Sequence, residues 1–280
     1  MKTILFASDF TSNSNVALHY ALYFSKLTGA HLIVNTIFDA SILFTDEMEF
    51  SANSGLDEEM IAINSEKLKK QIEAIPLEWK KGVEIIEEVT EHTSIVNGLL
   101  ELIEKYQVDL VVLGSKGDHS FIEKLVGSVT TEMIGEGVCP ILIVPKGATF
   151  KPIEKVVYAS DLDQGDFAAA AYLAKIVNAL KASMHFIHLA DGTDENDLVE
   201  FDKFSNLLLD TSTLTNVQME LQTTQTFEEG LLFYLEEEQA DLLVMLERKE
   251  NGFFGRLFHK DHVKEMSHLT TIPLLSIPKK

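Results

Sequence analysis

The residues best suited to chemistry in this chain form a glycine-rich loop that directly follows the apolar run 108–113. They are Gly114, Gly117, Gly127 and Ser128. Glycine permits a positive φ, so at the end of a buried strand it lets bare backbone N–H groups approach an anion. The pair Gly127-Ser128 begins a helical pattern, which would add a helix N-terminus and a hydroxyl group. The spacing therefore predicts a site for a nucleotide phosphate.

An acidic residue follows the first apolar strand of the chain. Ligands of open parallel sheets bind beyond the carboxyl ends of the strands, where the strand order reverses. Asp9 would lie beside Gly114 there if the first and fourth strands are neighbours. It could then accept a hydrogen bond from an adenine amino group or a ribose hydroxyl, while Lys116 could add a positive charge to the loop. The alternative is that Asp9 caps the first helix, as Thr11 or Ser12 also could.

The chain repeats itself once. The matching segments are 2–9 with 154–161, 98–113 with 230–245, and 139–146 with 272–279. Strands alternate with helical patterns in each copy, and the strands are continuous apolar runs, as expected of strands buried on both faces. The sequence therefore predicts an α/β protein of two repeated domains, residues 1–148 and 152–280, each an open parallel sheet with helices on both faces.

The first copy is longer than the second, mainly between residues 38 and 82. A polar stretch there leads into a helical pattern from about residue 57 to residue 75. A solvated loop followed by an ordinary amphipathic helix accounts for this insertion, and a lid over the site is the alternative.

The second copy lacks the glycines of the phosphate loop. Leu246 stands at the position of Gly114, and Lys249 at that of Gly117. Side chains would fill the space where amides should meet phosphate, and β-carbons disfavour a positive φ. We therefore expect no nucleotide to bind the second copy in the same manner, although Asp161 is retained.

Basic residues cluster in this loop of the second copy. They are Arg248, Lys249, Arg256 and Lys260. Two interpretations stay open: the side chains form an anion site of their own, or they neutralise acidic neighbours and face solvent.

The composition limits the classes of partner. The 280-residue chain carries a formal net charge of −21, which disfavours general nucleic-acid binding because phosphate contacts dominate such affinity. Cys139 is the only cysteine, which fits a reducing compartment. No apolar run approaches the roughly 18 residues of a membrane span, and the start of the chain does not resemble a signal peptide. We expect a cytoplasmic protein without a membrane or nucleic-acid partner.

Patterns typical of catalysis are missing from the sequence. There is neither a P-loop motif nor a Gly-x-Ser-x-Gly elbow, and Cys139 precedes Pro140 where a buried apolar residue is expected. The spacing of His259, His262 and His268 is not a standard zinc pattern, so no metal site is predicted. Because Asp9 would lie at the base end of a nucleotide, it could not act on the γ-phosphate. We expect binding with at most slow ATP hydrolysis.

The pattern Gly-x2-Gly-x9-Gly-Ser after an apolar strand resembles the ATP-binding signature of the universal stress protein family. The opening segment 4–11 and the segment 139–145 are similar to the first and last strands of that family. The resemblance covers nearly the whole chain, twice, as in the tandem form of the family. It implies a five-stranded parallel sheet of order 3-2-1-4-5 in each domain.

The resemblance also implies roles for individual residues. In members that bind ATP, the positions that match Asp9 and the backbone of Ile37 hold the adenine. The positions that match Leu113, Gly114 and Gly117 line the ribose and the phosphate loop, and those that match Gly127, Ser128 and Val129 bind the phosphates. The complete predicted set is Ala7, Asp9, Ile37, Leu113, Gly114, Lys116, Gly117, Gly127, Ser128 and Val129. The expected cofactor is ATP, with Mg²⁺ left open.

Three functions compete on these observations. The favoured one is an ATP-binding stress-response or regulatory protein, in which the nucleotide orders loop 114–128 and changes a surface that a protein partner binds. The second is a nucleotide-independent scaffold made of two such domains. The third is a nucleotidyltransferase or an ATP pyrophosphatase, which would need a His-x-Gly-His or Ser-Gly-Gly-x-Asp-Ser loop that the segment 8–11 does not provide.

The last strand of each copy would present an exposed edge. Segments 141–144 and 274–277 could pair within the chain as an intramolecular pseudo-dimer, which would hide both edges. A further homodimer stays open.

Overall fold

The computed structural model describes residues 1–39, 55–115, 128–191, 195–247 and 271–279. The first half contains β1 (Thr3–Ala7), α1 (Ser12–Thr28), β2 (His31–Phe38), α2 (Gly55–Ala74), α3 (Leu77–Lys80), β3 (Ile85–Glu91), α4 (Ile95–Tyr106), β4 (Leu110–Gly114), α5 (Ser128–Glu136) and β5 (Ile141–Val144). The second half contains β6 (Lys155–Ala159), α6 (Gln164–Leu180), β7 (Ser183–Asp191), α7 (Glu195–Thr211), β8 (Val217–Thr224), α8 (Phe227–Glu237), β9 (Leu242–Glu247) and β10 (Leu274–Pro278).

All ten strands form one sheet of order β3-β2-β1-β4-β5-β10-β9-β6-β7-β8. The strands of each half run parallel to their neighbours in that half. The order 3-2-1-4-5 and the α/β fold class predicted from the sequence are thereby confirmed.

The two halves meet along their last strands. Strand β10 pairs antiparallel with β5, with Leu275 opposite Leu142. Both strands therefore lie inside the sheet, with neighbours on either side, and β3 and β8 form its edges. The predicted domain boundaries at residues 148 and 152 stay a prediction.

The sheet is covered on both faces, and the alternation of side chains along each strand decides which face a residue joins. In β1, Ile4 and Phe6 belong to the buried cluster that also contains side chains of α1, α2 and α6, whereas Leu5 belongs to the cluster that contains side chains of α4, α5 and α8. The two faces explain why the strands are continuous apolar runs.

The linker between the halves is fixed against α1. The ring of Phe150 packs on Tyr20, Tyr23 and Trp79, with ring centroids 4.8 to 5.5 Å apart. The hydroxyl of Tyr23 also accepts a hydrogen bond from the backbone N–H of Ile153 at 3.3 Å. These contacts hold the start of β6 close to the first half.

A search of the described ranges finds no helix with the length and hydropathy needed to cross a bilayer.

Candidate functional site

A cavity of about 350 Å³ lies at the carboxyl ends of β1, β2 and β4. Strand β1 pairs with β2 on one side and with β4 on the other, so the strand order reverses at this point. The volume is within the usual range for small-molecule sites, and this position is where open α/β sheets bind ligands.

Every predicted site residue that the structure describes lines this cavity. Ala7, Asp9 and Ile37 lie on the side of β1 and β2. Leu113, Gly114, Ser128 and Val129 lie on the side of β4 and α5. Lys116, Gly117 and Gly127 lie outside the described residues.

Gly114 is needed for close packing and not for its backbone torsion. It is not among the residues with a positive φ, which corrects the expectation drawn from its position at a strand end. A Cβ atom on Gly114 would lie 3.2 Å from Asn13 Nδ2 and 3.4 Å from the backbone N of Ser14. Asn13 is itself held, because its Nδ2 donates to the carbonyls of Ser115 and Val144 at 2.9 and 3.0 Å. The start of α1 therefore packs directly on the end of β4.

Asp9 does not cap α1. The N-cap is Thr11, whose hydroxyl accepts a hydrogen bond from the backbone N–H of Ser14 at 3.2 Å. Asp9 Oδ1 instead accepts hydrogen bonds from the backbone N–H and the hydroxyl of Thr11, at 3.0 and 2.7 Å. These bonds hold the half-buried carboxylate at the rim of the cavity, and the alternative of Asp9 as the helix cap is wrong.

Helix α5 begins at Ser128, as predicted, and its first turn lines the cavity. The first N–H groups of a helix have no intrahelical acceptor and attract anions. Thr130, in the same turn, lines the cavity and is 4% exposed. This end of the cavity is suited to a phosphate group.

Sequence reasoning missed one wall of the cavity, which α2 supplies. Asn64 lines the cavity, and Gln71 lies seven residues further along, on the same face of the helix. Gln71 Oε1 accepts a hydrogen bond from Ser8 Oγ at 2.6 Å, and its Nε2 donates to Asn15 Oδ1 at 2.8 Å. The spacing of these amides within an apolar helix pattern is the signal that could have revealed the contact.

The remaining wall residues are mostly apolar. Phe10, Ile37, Ile95, Leu99 and Leu113 surround the space between Asp9 and α5. Thr36 also lines the cavity, and its hydroxyl donates to the carbonyl of Ser8 at 3.1 Å. Apolar walls with a few fixed polar groups are typical of sites for small organic molecules.

The second half repeats the strand arrangement but packs the matching position differently. Leu246 corresponds to Gly114, and Gly165 corresponds to Asn13. A Cβ atom on Gly165 would lie 2.7 Å from Leu246 Cδ2. The leucine therefore occupies the place that the asparagine fills in the first half. The basic residues Arg248, Lys249, Arg256 and Lys260 lie outside the described residues.

Cys139 has no features of a nucleophile. It is buried, and burial raises the pKa of its thiol to about 12. The thiolate needed for attack is therefore scarce at neutral pH. Among the described residues, no group of three or more His, Cys, Asp and Glu side chains could hold a metal ion; His259, His262 and His268 lie outside them.

Comparison with known proteins adds the family. The universal stress protein family model matches residues 1–145. Two universal stress proteins of Methanocaldococcus jannaschii, MJ0531 and MJ0577, are each 28% identical to this chain over 52% of its length, covering 82% and 95% of their own.

Solved structures match the whole chain. A universal stress protein from Archaeoglobus fulgidus superimposes with a TM-score of 0.65 at 16% identity, covering 99% of this chain and 96% of that one. The protein PA1789 from Pseudomonas aeruginosa gives a TM-score of 0.62 at 14% identity, covering 100% and 93%. At this identity the structures show a shared fold, and with the family match over residues 1–145 they lead to one conclusion: the chain belongs to the universal stress protein family.

Proposed function

We propose that the first half binds ATP in the cavity between β1, β2, β4 and α5, and that the protein is a stress-response or regulatory binding protein. The observation that carries this proposal is the assembly of the predicted residues around one cavity at the strand-order reversal. The carboxylate of Asp9 is at one side, and the first turn of α5 is at the other.

The ends of the cavity match the two ends of a nucleotide. The N-terminus of α5, with the hydroxyl groups of Ser128 and Thr130, suits phosphate groups. The apolar side chains of Phe10 and Ile37 suit a base, and Asp9 can accept a hydrogen bond from an amino or hydroxyl group. Any Mg²⁺ would arrive with the nucleotide.

The described lining supports binding without turnover. Asp9 is the ionisable side chain among the described lining residues, and it lies beside β1, away from α5. A general base for hydrolysis would have to reach water at the γ-phosphate, near α5. We therefore expect hydrolysis to be slow at most. We infer that nucleotide occupancy biases a surface that includes α5, which a protein partner then binds.

The proposal also covers the second half of the chain and the cellular location of the protein. The domains are residues 1–148 and 152–280, and the second binds no ATP in the same manner because Leu246 replaces Gly114. The single cysteine of the chain, buried in the first half, fits the reducing cytoplasm.

Calorimetry of the full chain with ATP and Mg²⁺ tests the binding. We expect saturable binding by the natural protein and at least about a tenfold loss for Gly114→Ala, since the added Cβ would press on Asn13 and on the backbone of Ser14. Gly135→Ala is the matched control, because nothing lies within 4 Å of a Cβ at that exposed position of α5. Absence of any binding heat from the natural protein would favour the nucleotide-independent scaffold.

A further inference from the structure

Strand β8 forms the edge of the sheet in the second half. Among the described strands it has β7 as its one neighbour, and it pairs with β7 over its full length. The backbone N–H of Met184 in β7 donates to the carbonyl of Asn216 at 2.8 Å. Because backbone groups alternate between the two sides of a strand, the groups of every second residue after Asn216 are directed towards β7. The residues between them direct their N–H and C=O groups outward: Val217, Met219, Leu221 and Thr223.

The two edges of the sheet differ in charge. In β3 the carbonyl of Glu84 accepts a hydrogen bond from the N–H of Leu32 in β2, so the same alternation directs the backbone groups of Glu87 and Glu91 outward. Like charges that meet across a strand pair destabilise it, and charged residues are a common protection of open edges. The outward residues of β8 carry no charge, and the strand contains no proline. Strand β8 is therefore the less protected edge.

The one charged residue of β8 does not guard its edge. Glu220 belongs to the residues whose backbone groups bond to β7. Its carboxylate accepts a hydrogen bond from the Tyr234 hydroxyl on α8, and its Oε1 accepts one from Gln222 Nε2 at 2.7 Å. The charge is thus engaged on the face of the sheet that α8 covers, and an added strand would not have to approach it.

Helix α7 places exposed apolar side chains beside this edge. The helix packs on β8, and its Phe204 ring lies 4.8 Å from the ring of Phe167 on α6, so Phe204 marks the flank that faces the middle of the sheet. At 3.6 residues per turn, Leu198 and Leu209 lie roughly 120–140° further round the helix, on the opposite flank. Both side chains are exposed. The edge of the second half therefore combines unpaired backbone groups with an apolar flank.

The molecule already pairs one set of edges. Strands β5 and β10, the last strands of the two halves, pair antiparallel, and α1 and α6 contact each other across that pair. This arrangement covers both strand edges and packs the neighbouring helices together. A second pairing of the same kind needs another uncharged edge with a helix beside it, which β8 and α7 provide.

We propose that a second copy of this chain binds at β8: the two β8 strands pair antiparallel across a twofold axis, and the two α7 helices pack through Leu198 and Leu209 beside the new pair. A second copy fits because a twofold axis matches an uncharged strand with itself and brings the same apolar flank from both sides. Elsewhere the surfaces of two chains with a net charge of −21 would repel each other. This contact does not depend on the nucleotide site.

Sedimentation velocity of the full chain over a range of concentrations tests the contact. The natural protein should form a dimer, and Leu209→Glu should weaken it at least about tenfold, because the carboxylate would lose its hydration against the leucines of the other copy. Leu207→Glu is the matched control. Leu207 is 52% exposed and Leu209 is 50% exposed, but Leu207 lies on the other flank of α7, so its replacement should leave the dimer unchanged.

Proline substitutions test the strand pairing itself. Thr223 is exposed and its N–H is directed outward, so Thr223→Pro removes no bond to β7 but blocks an added strand. It should also weaken the dimer at least about tenfold. Glu87→Pro makes the same change at an exposed, outward-directed position of β3 and should have no effect. A monomer at every concentration, or a dimer that both Leu209→Glu and Thr223→Pro leave intact, would overturn the proposal.

Hydrogen exchange needs no variant. The outward amides of Met219 and Leu221 should exchange more slowly at a concentration at which the dimer forms than after dilution, since pairing would protect them. The outward amides of β3 should exchange at the same rate under both conditions. A dimer whose formation leaves exchange in β8 unchanged would place the contact elsewhere and overturn the pairing.

Discussion

The two halves of the molecule differ at one contact between the first helix and the fourth strand: the larger side chain is on the helix in the first half and on the strand in the second. In the first half Asn13 packs on Gly114, and in the second half Gly165 packs on Leu246. The backbone of the connection after the first strand of each half is alike, since Phe10 and Leu162 have nearly equal positive φ values of 61° and 59°. The second half has therefore not simply lost a glycine; it has been repacked around a larger side chain.

The same turn is also stabilised by different partners in the two halves. In the second half the buried Asp166 accepts hydrogen bonds from the hydroxyls of Tyr158 and Ser160, at 2.7 and 2.6 Å. In the first half the serine that matches Ser160 is Ser8, which donates to Gln71 on α2. The serine of the second half is thus bonded to the helix that follows it, whereas the serine of the first half is also tied to α2, the helix that lines the cavity. The bonds of Gln71 therefore couple the position of α2 to the site in the first half.

Replacing Gly114 with leucine, the residue at the matching position of the second half, should have the largest effect on ATP binding. We expect Gly114→Leu to abolish measurable ATP binding, because the side chain would enter the cavity and press on Asn13. The free energy of unfolding should fall by about 1–3 kcal/mol. Calorimetry and denaturant unfolding measure the two effects.

The double variant Asn13→Gly with Gly114→Leu reproduces the pair found in the second half. It should recover part of the lost stability, which a double-mutant cycle would report as a favourable coupling, but not ATP binding. If the two changes in the free energy of unfolding simply add, the sizes of the side chains at positions 13 and 114 are not coupled.

Removing the buried carboxylate of Asp166, which stabilises the connection between β6 and α6, should have the next largest effect on stability. Asp166 is 1% exposed and also accepts a hydrogen bond from the backbone N–H of Asp163. We expect Asp166→Asn to lower the free energy of unfolding by about 1.5–3 kcal/mol, since hydrogen bonds to a charged group are lost. Ser14→Ala, at the matching position of the first half, should cost about 1 kcal/mol.

Denaturant unfolding measures both changes. Asp161→Asn is the control, because Asp161 is exposed in the same turn and should shift stability by less than about 0.5 kcal/mol. A cost for Ser14→Ala equal to that for Asp166→Asn would contradict the view that the two turns are stabilised differently.

The sequence alone was sufficient for the fold but not for the whole site. Continuous apolar runs and their repetition predicted the strands, because burial on both faces leaves a strong pattern, and the resemblance to the family predicted their order. The position of Gly114 beside the cavity was also predicted. The partner of Gly114 was not, since Asn13 reaches the carbonyl of Ser115 across 102 residues of chain. Helical periodicity likewise predicted α2 from its apolar face. The amides of Asn64 and Gln71 on that face indicate a polar contact, but periodicity carries no information on which residues they would meet.

A smaller difference between the halves should appear in the pH dependence of stability. His185 lies in β7 at the position that Ile33 occupies in β2. It is 3% exposed, and burial lowers its pKa below the usual value near 6.5, against an opposing influence of Glu238. The groups that face it are Tyr234, Glu238, Lys155 and Glu220.

Because the folded state disfavours the protonated imidazole, the unfolded chain binds more protons, and stability should fall as the pH is lowered from about 7 to 5. His185→Ile places the residue of the first half in the second and should remove this part of the pH dependence. Urea unfolding at several pH values compares the two proteins, and His31→Ile is the control because His31 is exposed. A natural protein whose stability rises between pH 7 and 5 relative to His185→Ile would mean that Glu238 outweighs burial, and the buried histidine would then stabilise the second half in its charged form.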